Sequence, residues 1–311
     1  MLAGRRVAWE CCWRAGPGQL ARPVVTEGTG RGVAPGTLWP IPIPVEETNL
    51  NANAAPQSRA SVSTPESPGD VTAAVIPAAG RGVRLGPGTP KALRALNGVP
   101  MLVHAVRAMA RSRDVSLVVV VAPPDGAQEA RTLLDDHARP DSTELVVVPG
   151  GGTRQESVRL GLAALPPEVT VVLVHDAARP LVPVETVETV AAAVRGGAPA
   201  VVPALPLADT VKQVEPRAGG GPEPVVATPD RAALRAVQTP QGFDRATLEK
   251  AHRTVALEGE GVTDDAGMVE RLGLPVVVVP GHEEAFKVTR PLDLVLAEAV
   301  LDRRRATDGF A

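Results

Sequence analysis

The stretch "AAVIPAAGRGVRLGPGTPKALRAL", residues 73–96, decides how the rest of the chain is interpreted. Its apolar run predicts a β-strand that ends near Ile76 and delivers a glycine-rich loop to the carboxyl edge of a sheet, where backbone N–H groups face an anion. The loop lacks a Walker A motif, and Leu85 stands where the third glycine of a dinucleotide fingerprint belongs. Arg84 and Lys91 add two positive charges. This pattern favours chemistry at an α-phosphate with loss of pyrophosphate; an ordinary strand–helix turn is the alternative.

The composition excludes several classes of protein. The 311 residues carry 32 Lys and Arg against 35 Asp and Glu, so no surface for nucleic acid or anionic membrane is indicated. No apolar run approaches the length of a membrane span. The only cysteines, Cys11 and Cys12, are adjacent, which argues against a disulfide framework or a zinc site. We therefore expect a protein of the cytoplasm.

Residues 1–70 differ from the rest of the chain. They are rich in proline and glycine, contain all three tryptophans (Trp9, Trp13 and Trp39), and show no sustained apolar periodicity. Such a composition buries too little apolar surface to offset the entropy of ordering, so a disordered tail is expected. A docking segment that uses the tryptophans, or a start codon assigned too far upstream, are the alternatives.

From residue 71 onward, short Val-rich runs alternate with amphipathic helical segments. This pattern is typical of an α/β fold, a Rossmann-like doubly wound and mostly parallel sheet covered by helices on both faces. Residues 200–231 instead hold two strand-like pieces around a Gly/Pro turn, which predicts a protruding β-hairpin arm at about 205–230. The predicted organisation is a catalytic domain at 71–305 and a short C-terminal tail at 306–311.

Further polar residues follow the predicted strands at the same edge of the sheet. "GGGTRQES" offers Arg154 and Ser157 as donors, although Ser157 could simply cap a helix. "HDAARP" places Asp176 directly after a strand, where it would bind a cation or a hydroxyl, or alternatively pair with Arg179. "KVTRP" contributes Lys287, which could also be a solvated surface lysine. "QTPQ" and "TDDA" add Thr239, Gln241, Thr263, Asp264 and Asp265.

Taken in order, these segments resemble one enzyme family. The series "PAAGRGVRLGPGTPK", "GGGTRQES", "HDAARP", "ADT", "TPQ", "TDDA" and "KVTRP" is similar to the 2-C-methyl-D-erythritol 4-phosphate cytidylyltransferases of the non-mevalonate isoprenoid pathway, over about residues 71–305. The resemblance implies a fold of the nucleotidyltransferase type and transfer of CMP from CTP to methylerythritol phosphate. It also implies Mg²⁺ and a homodimer in which the hairpin arm reaches over the partner subunit.

The resemblance also assigns roles to matching residues. Arg84 and Lys91 would stabilise the transition state, and Asp176 would lie near the substrate hydroxyls and serve as a candidate metal ligand. Thr210 and Arg231, on the arm, would serve the neighbouring subunit's site. The CTP site would comprise Ala78, Ala79, Gly80, Gly151, Ser157 and Ala177. The sugar phosphate would be positioned by Asp176, Arg179, Thr210, Arg231, Thr239 and Lys287.

The expected nucleophile, a phosphate dianion, carries no proton that must be removed before attack. A general base is therefore unnecessary, and His175 is expected to be structural. Two other functions stay open at this point. One is a ribitol-5-phosphate cytidylyltransferase, which would share the CTP loop, and the other is a nucleotide-binding protein without turnover.

Overall fold

A mostly parallel β-sheet of eight strands forms the centre of the described part of the chain. The computed structural model describes residues 70–80, 90–138, 140, 142–217, 219, 221–254 and 263–308. All of these belong to one compact unit, Ser63–Ala311. The predicted tail at 1–70 lies outside the described residues except for Asp70, as does the loop at 81–89 that contains Arg84.

The strands and helices alternate as the sequence pattern predicts. The strands are β1 (Val71–Pro77), β2 (Ala95–Leu96), β3 (Val99–Pro100), β4 (Val115–Ala122), β5 (Glu144–Pro149), β6 (Val169–Val174), β7 (Ala200–Pro206), β8 (Gln213–Val214), β9 (Val225–Ala227), β10 (Arg235–Val237), β11 (Gln241–Asp244) and β12 (Val277–Pro280). The helices are α1 (Met101–Ala110), α2 (Ala127–His137), α3 (Arg154–Ala163), α4 (Val184–Arg195), α5 (Arg245–Thr254), α6 (Asp265–Arg271) and α7 (Pro291–Asp308).

Strand β1 lies at the centre of the sheet. It pairs in parallel with β4 on one side and with β6 on the other, and β5 extends the sheet in parallel beyond β4. On the far side of β6, β11 runs antiparallel, and β7 pairs antiparallel with β10 and β11 and in parallel with β12. The predicted doubly wound, mostly parallel sheet is confirmed, with β10 and β11 as the antiparallel strands.

Both faces of the sheet are buried, which explains the uninterrupted apolar strands. Alternate residues of a strand point to opposite faces, and in β1 Ala74 and Ile76 join one core cluster while Ala73 and Val75 join the other. Helices α1, α2 and α4 cover the first face, and α3, α5 and α6 cover the second. Gly161 allows α3 to approach the sheet closely, because a Cβ there would lie 2.5 Å from the Val75 side chain.

Helix α7 packs away from the sheet, on the short β2–β3 hairpin. Ala297 and Val300 join Leu96, Met101 and Val288 in a third apolar cluster. Glu284 forms ion pairs with Arg303 and Arg304 of this helix, and they fasten the segment that precedes α7. The helix continues to Asp308, beyond the expected domain end at residue 305.

The predicted hairpin arm is present between β7 and β10. Strands β8 and β9 form a separate two-stranded antiparallel sheet, with Gln213 opposite Ala227. Val225 and Val226 of β9 are more than half exposed. None of the described helices combines the length and the hydrophobicity that a membrane span requires.

Candidate active site

A cavity of about 270 Å³ opens at the carboxyl ends of β1, β5 and β6. Ligands of open α/β sheets bind at this edge, because the loops that leave parallel strands converge there. Four parts of the chain line the cavity: the loop after β1 with the turn at Lys91, the loop after β5, the loop after β6, and Lys287. The lining residues include Ala78, Ala79, Gly80, Lys91, Gly151, Gly152, Thr153, Arg154, Ser157, Asp176, Ala177 and Lys287.

The glycine-rich loop after β1 begins and ends at the cavity wall. Ala78 is tied to β4, since its backbone N–H donates to the Val121 carbonyl at 2.8 Å. Gly80 is exposed, and a Cβ on it would meet open space. The chain returns at Pro90 in an extended conformation and then forms a 3-10 turn, Lys91–Leu93, whose first residue is half-buried at the cavity. Arg84, between these two ends, lies outside the described residues.

The loop after β5 packs directly against the loop after β1. The Gly150 N–H donates to the Ala122 carbonyl at 2.7 Å. A Cβ on Gly150 would lie 3.0 Å from the Ala122 oxygen, the Ala79 side chain and the Ser157 hydroxyl. Such contacts are tighter than nearly all Cβ contacts in proteins, so glycine at this position lets the two loops meet without displacing a neighbour.

Thr153, and not Ser157, caps helix α3. The Thr153 hydroxyl accepts the Glu156 N–H at 3.0 Å, which corrects the alternative that Ser157 is the cap. Ser157 lies one turn further along, where its hydroxyl donates to the Thr153 carbonyl at 2.9 Å and accepts the Gly151 N–H at 3.2 Å. Ser157 therefore fixes the glycine loop through the Gly151 N–H, and it also lines the cavity.

Asp176 lies between two cations in the cavity wall. Its carboxylate is 2.6 Å from Lys287 Nζ and 3.6 Å from Arg154 Nε. Burial alone would raise the pKa of Asp176, but Lys287 and Arg154 hold it down to about 2. Asp176 is thus a carboxylate at neutral pH. Its partners differ from the alternative drawn from sequence, in which Asp176 pairs with Arg179.

Arg154 was expected from the sequence only as a donor at a helix start, and its two carboxylate partners were not foreseen. Its Nη1 lies 2.6 Å from Asp265 Oδ2, and Asp265 also contacts His252 Nε2 at 3.0 Å. Asp265 is fully buried; burial would raise its pKa, but the attraction of Arg154 and the His252 hydrogen bond lower it below the usual value. The segments "GGGTRQES" and "TDDA" both stood out in the sequence. The contact between Arg154 and Asp265, which are 111 residues apart, arises only from the tertiary fold.

Arg179 and Thr239 lie behind the cavity wall, and neither lines the cavity. The Arg179 guanidinium donates to the carbonyls of Ala285, at 2.7 Å, and Val237, at 3.2 Å. The Thr239 hydroxyl is buried and contacts the Asp176 N–H and the His175 ring. His175 is fully buried, and burial lowers its pKa to about 4. A neutral, enclosed ring agrees with the structural role expected for His175.

Comparison with known proteins assigns the chain to a family. A family model described as IspD, 2-C-methyl-D-erythritol 4-phosphate cytidylyltransferase, matches residues 72–303. The chain belongs to this family. A Streptomyces coelicolor protein of that name is 80% identical over 240 residues, which cover 77% of this chain and 88% of the relative. A Frankia casuarinae protein of the same name is 58% identical over 231 residues, covering 74% and 81%.

Solved structures of the family have the same fold. The 4-diphosphocytidyl-2C-methyl-D-erythritol synthase of Anaerococcus prevotii superposes with a TM-score of 0.64 at 27% identity, covering 75% of this chain and 99% of that one. The 2-C-methyl-D-erythritol 4-phosphate cytidylyltransferase of Thermus thermophilus gives 0.57 at 38% identity, covering 73% and 98%. The predicted fold class and family are confirmed, and the chain is a nucleotidyltransferase.

The family resemblance also assigned two residues on the arm, and the structure places them apart from the cavity. Thr210 and Arg231 are exposed, and the Arg231 guanidinium donates to the Ala208 carbonyl at 2.6 Å. Neither lines the cavity of its own chain. That Thr210 and Arg231 contribute to the site of a neighbouring cytidylyltransferase subunit stays a prediction.

The donor set of the cavity limits how a metal ion would bind. Among the described residues, no group of three His, Cys, Asp or Glu side chains could hold one, and Asp176 is the carboxylate that lines the cavity. Mg²⁺ commonly uses one or two carboxylates together with substrate phosphates. The residues present therefore fit a metal carried mainly by a nucleotide, with one oxygen ligand from Asp176.

Proposed function

We propose that this cytidylyltransferase transfers CMP from CTP to 2-C-methyl-D-erythritol 4-phosphate, giving 4-diphosphocytidyl-2-C-methyl-D-erythritol and pyrophosphate, in isoprenoid precursor biosynthesis. The observation that carries the proposal is the cavity at the sheet edge. It brings Lys91, Arg154 and Lys287 together beside the loop after β1, which lies within the region that matches the family model. CTP and the sugar phosphate are soluble metabolites, and the expected compartment is the cytoplasm.

In the proposed reaction, a phosphate oxygen of the sugar phosphate attacks the α-phosphorus of CTP. A P–O bond forms, and the bond from the α-phosphorus to the bridging oxygen breaks, so pyrophosphate leaves with the electron pair. No proton has to move. The difficulty is to bring two anions together, and fixed cations lower this electrostatic barrier. That requirement accounts for a cavity lined by cationic side chains without a catalytic base.

The roles of individual residues follow from this chemistry. Lys91 and Arg84 would neutralise the α-phosphate and the departing pyrophosphate; Lys91 lies at the cavity wall, and Arg84 follows Gly80 by four positions. Ala78, Ala79, Gly80, Gly151, Ser157 and Ala177 would bind CTP, and all six line the cavity. Lys287 and Asp176 would orient the sugar phosphate, with Arg179 supporting the wall behind them.

A divalent cation, Mg²⁺, would be held by the nucleotide phosphates and by one oxygen of Asp176. When bound, it would supply further positive charge at the triphosphate. Lys287 and Asp176 also hold each other in place before any ligand arrives, because Lys287 Nζ lies 2.6 Å from Asp176 Oδ2.

A homodimer formed through the hairpin arm completes the proposal. A two-stranded hairpin is marginal in water without a surface to pack on, and β9 exposes Val225 and Val226. Thr210 and Arg231 would then contribute to the neighbour's cavity, because they do not line their own.

The test is an assay of CTP with each of two acceptors, 2-C-methyl-D-erythritol 4-phosphate and ribitol 5-phosphate. Pyrophosphate is quantified, and the organic product is identified by its mass. We expect a cytidine diphosphate adduct of methylerythritol and at most trace reaction with ribitol 5-phosphate. Preference for ribitol 5-phosphate would replace the proposed substrate, and turnover with neither would indicate a nucleotide-binding protein without this activity.

A further inference from the structure

A chain of three hydrogen bonds runs through the buried wall behind Asp176. The Asp176 backbone N–H donates to the Thr239 hydroxyl oxygen at 3.1 Å, and this oxygen lies 3.1 Å from His175 Nδ1. His175 Nε2 in turn lies 3.1 Å from the Arg179 carbonyl oxygen. His175 is fully buried and Thr239 is 5% exposed, so bulk water does not compete for these groups.

The partners assign the direction of each hydrogen bond. A carbonyl oxygen can only accept, so His175 Nε2 carries a proton. Neither ring nitrogen has a carboxylate among its hydrogen-bond partners in the described structure, and a buried ring of this kind is neutral. Nδ1 is therefore an acceptor. The Thr239 hydroxyl donates its proton to Nδ1 while its oxygen accepts the Asp176 N–H.

This arrangement leaves Thr239 without a proton to offer a substrate. Its single hydroxyl hydrogen is engaged with His175, and the residue does not line the cavity. Asp176 begins a turn after β6, and the Arg179 N–H closes this turn by donating to the Asp176 carbonyl at 2.9 Å. The His175 N–H donates to the Val75 carbonyl at 2.9 Å and ties the turn to β1. The backbone of Asp176 is thus fixed relative to the central strand.

We propose that Thr239 and His175 are positioning residues that act on the reaction only through Asp176. They hold its backbone so that its carboxylate keeps Lys287 and Arg154 in place. This inference rests on the proposed function of the same cavity, and it differs from the expectation that Thr239 touches the sugar phosphate. A displacement of roughly 1 Å in such a site costs on the order of 100-fold in rate.

The first experiment compares Thr239→Val with Thr239→Ser. Valine keeps the shape and removes the hydroxyl, whereas serine keeps the hydroxyl. We expect Thr239→Val to lower kcat about 10- to 100-fold, and Thr239→Ser to remain within about threefold of wild type. Equal rates for Thr239→Val and wild type would overturn the proposal.

Thr143→Val is the matched control. Thr143 is also a buried threonine, and its hydroxyl donates to the Val115 carbonyl at 3.1 Å, at the start of β4 and far along the strand from the cavity. We expect both Thr143→Val and Thr239→Val to lose thermal stability, and only the control to keep the wild-type kcat and KM. An equal loss of kcat in the control would show that destabilisation alone explains the effect.

A double-mutant cycle separates positioning from direct contact. If Thr239 acts through Asp176, Thr239→Val should add less than about twofold to the defect of Asp176→Asn. A full, independent defect in the double variant would mean that Thr239 acts by another route, including contact with the substrate, and would overturn the proposal.

A spectroscopic readout tests the hydrogen-bond chain without turnover. Long-range ¹H–¹⁵N NMR reports which imidazole nitrogen carries the proton. We expect a neutral His175 protonated on Nε2 in wild type and in Thr239→Ser, with its Nδ1 resonance shifted in Thr239→Val. Protonation on Nδ1 would overturn the proposal even in an active enzyme. An inactive wild-type enzyme with the expected tautomer would instead count against the proposed function.

Discussion

At the scale of single residues, charge decides what the cavity can do. Lys91, Arg154 and Lys287 bring three cations to one wall, and Asp176 is the carboxylate that lines it in the described structure. Burial alone would raise the pKa of Asp176, but Lys287 and Arg154 lower it to about 2, so Asp176 is a carboxylate throughout the neutral pH range. Electrostatic stabilisation of a phosphoryl transition state needs such fixed charges.

Lys91→Ala tests the most direct of these contributions. Removal of one ammonium group from the transition state should lower kcat about 100- to 1,000-fold while the fold stays intact, since Lys91 lies at the cavity and not in a core cluster. Steady-state pyrophosphate release gives the rate, and circular dichroism checks the fold. Lys250→Ala, on the exposed side of α5, is the control. A rate within a few-fold of wild type would refute the role of Lys91.

Lys287→Ala should act mainly on the acceptor. The ammonium group is 2.6 Å from Asp176 and 39% exposed, so it contacts the cavity while remaining accessible. We expect the KM for the sugar phosphate to rise about tenfold or more, with a smaller change in the KM for CTP. Both constants come from initial-rate series in which one substrate is varied. An unchanged KM for the sugar phosphate would reject this assignment.

The sequence predicted individual residues better than it predicted their partners. Lys91, Ser157, Asp176 and Lys287 were singled out because each follows a strand or stands in a short motif, and all four line the cavity, while their roles stay predictions. Thr239 was expected to hold a substrate, but its hydroxyl is committed to Asp176 and His175. Which groups a hydroxyl bonds depends on burial and on residues that are distant in sequence. A short motif does not contain this information.

At the scale of elements, one buried ion pair joins α6 to α3. Asp265 begins α6 with no exposed surface, and it holds Arg154, the first residue of α3, at 2.6 Å. Removing one partner of a buried pair leaves the other incompletely compensated, which is why such changes are costly. The pair also orients the Arg154 guanidinium towards Asp176.

Asp265→Asn should therefore lower the free energy of unfolding by about 2 kcal/mol at neutral pH. The folded protein lowers the pKa of Asp265, so its stabilisation is present above the unfolded value near pH 4 and is lost as the pH falls below it. Urea unfolding at several pH values measures this. The difference between wild type and Asp265→Asn should shrink on acidification from about pH 4. A difference independent of pH would contradict the account.

Periodicity was enough to predict that Val-rich strands alternate with helices, whereas the ends of the helices required capping contacts. The Val-rich runs correspond to β1, β4, β5 and β6 because both faces of the sheet are buried. The start of α3 was predicted less well, because Ser157 was offered as a helix cap and the structure has Thr153 in that position. The hydrogen bond from the Glu156 N–H to the Thr153 hydroxyl identifies Thr153 as the cap. This bond forms only when the first turn of α3 has formed.

At the scale of the whole molecule, the arm raises the question of a second subunit. Arg231 is exposed, outside the cavity of its own chain, and held to the Ala208 carbonyl. The proposed dimer would bring it to the neighbour's cavity. Sedimentation at micromolar concentration should show a dimer, and a monomer there would contradict the proposal.

Mixed dimers test the exchange of residues between subunits. When Lys91→Ala and Arg231→Ala chains are mixed, half of the dimers are heterodimers, and one of their two sites keeps both residues if Arg231 serves the neighbour. Activity should then recover to about a quarter of the wild-type value from two nearly inactive parents. If Arg231 acts within its own chain, every heterodimer site carries one defect and no recovery is expected.

The proposed function requires that the cationic cavity at the sheet edge transfers a cytidylyl group from CTP. The most direct measurement is pyrophosphate release with CTP, ATP, GTP and UTP, each with and without 2-C-methyl-D-erythritol 4-phosphate. We expect release that requires both CTP and the sugar phosphate, and much slower release with the other nucleotides. Equal release with all four nucleotides, or release from CTP without the acceptor, would contradict the proposed function.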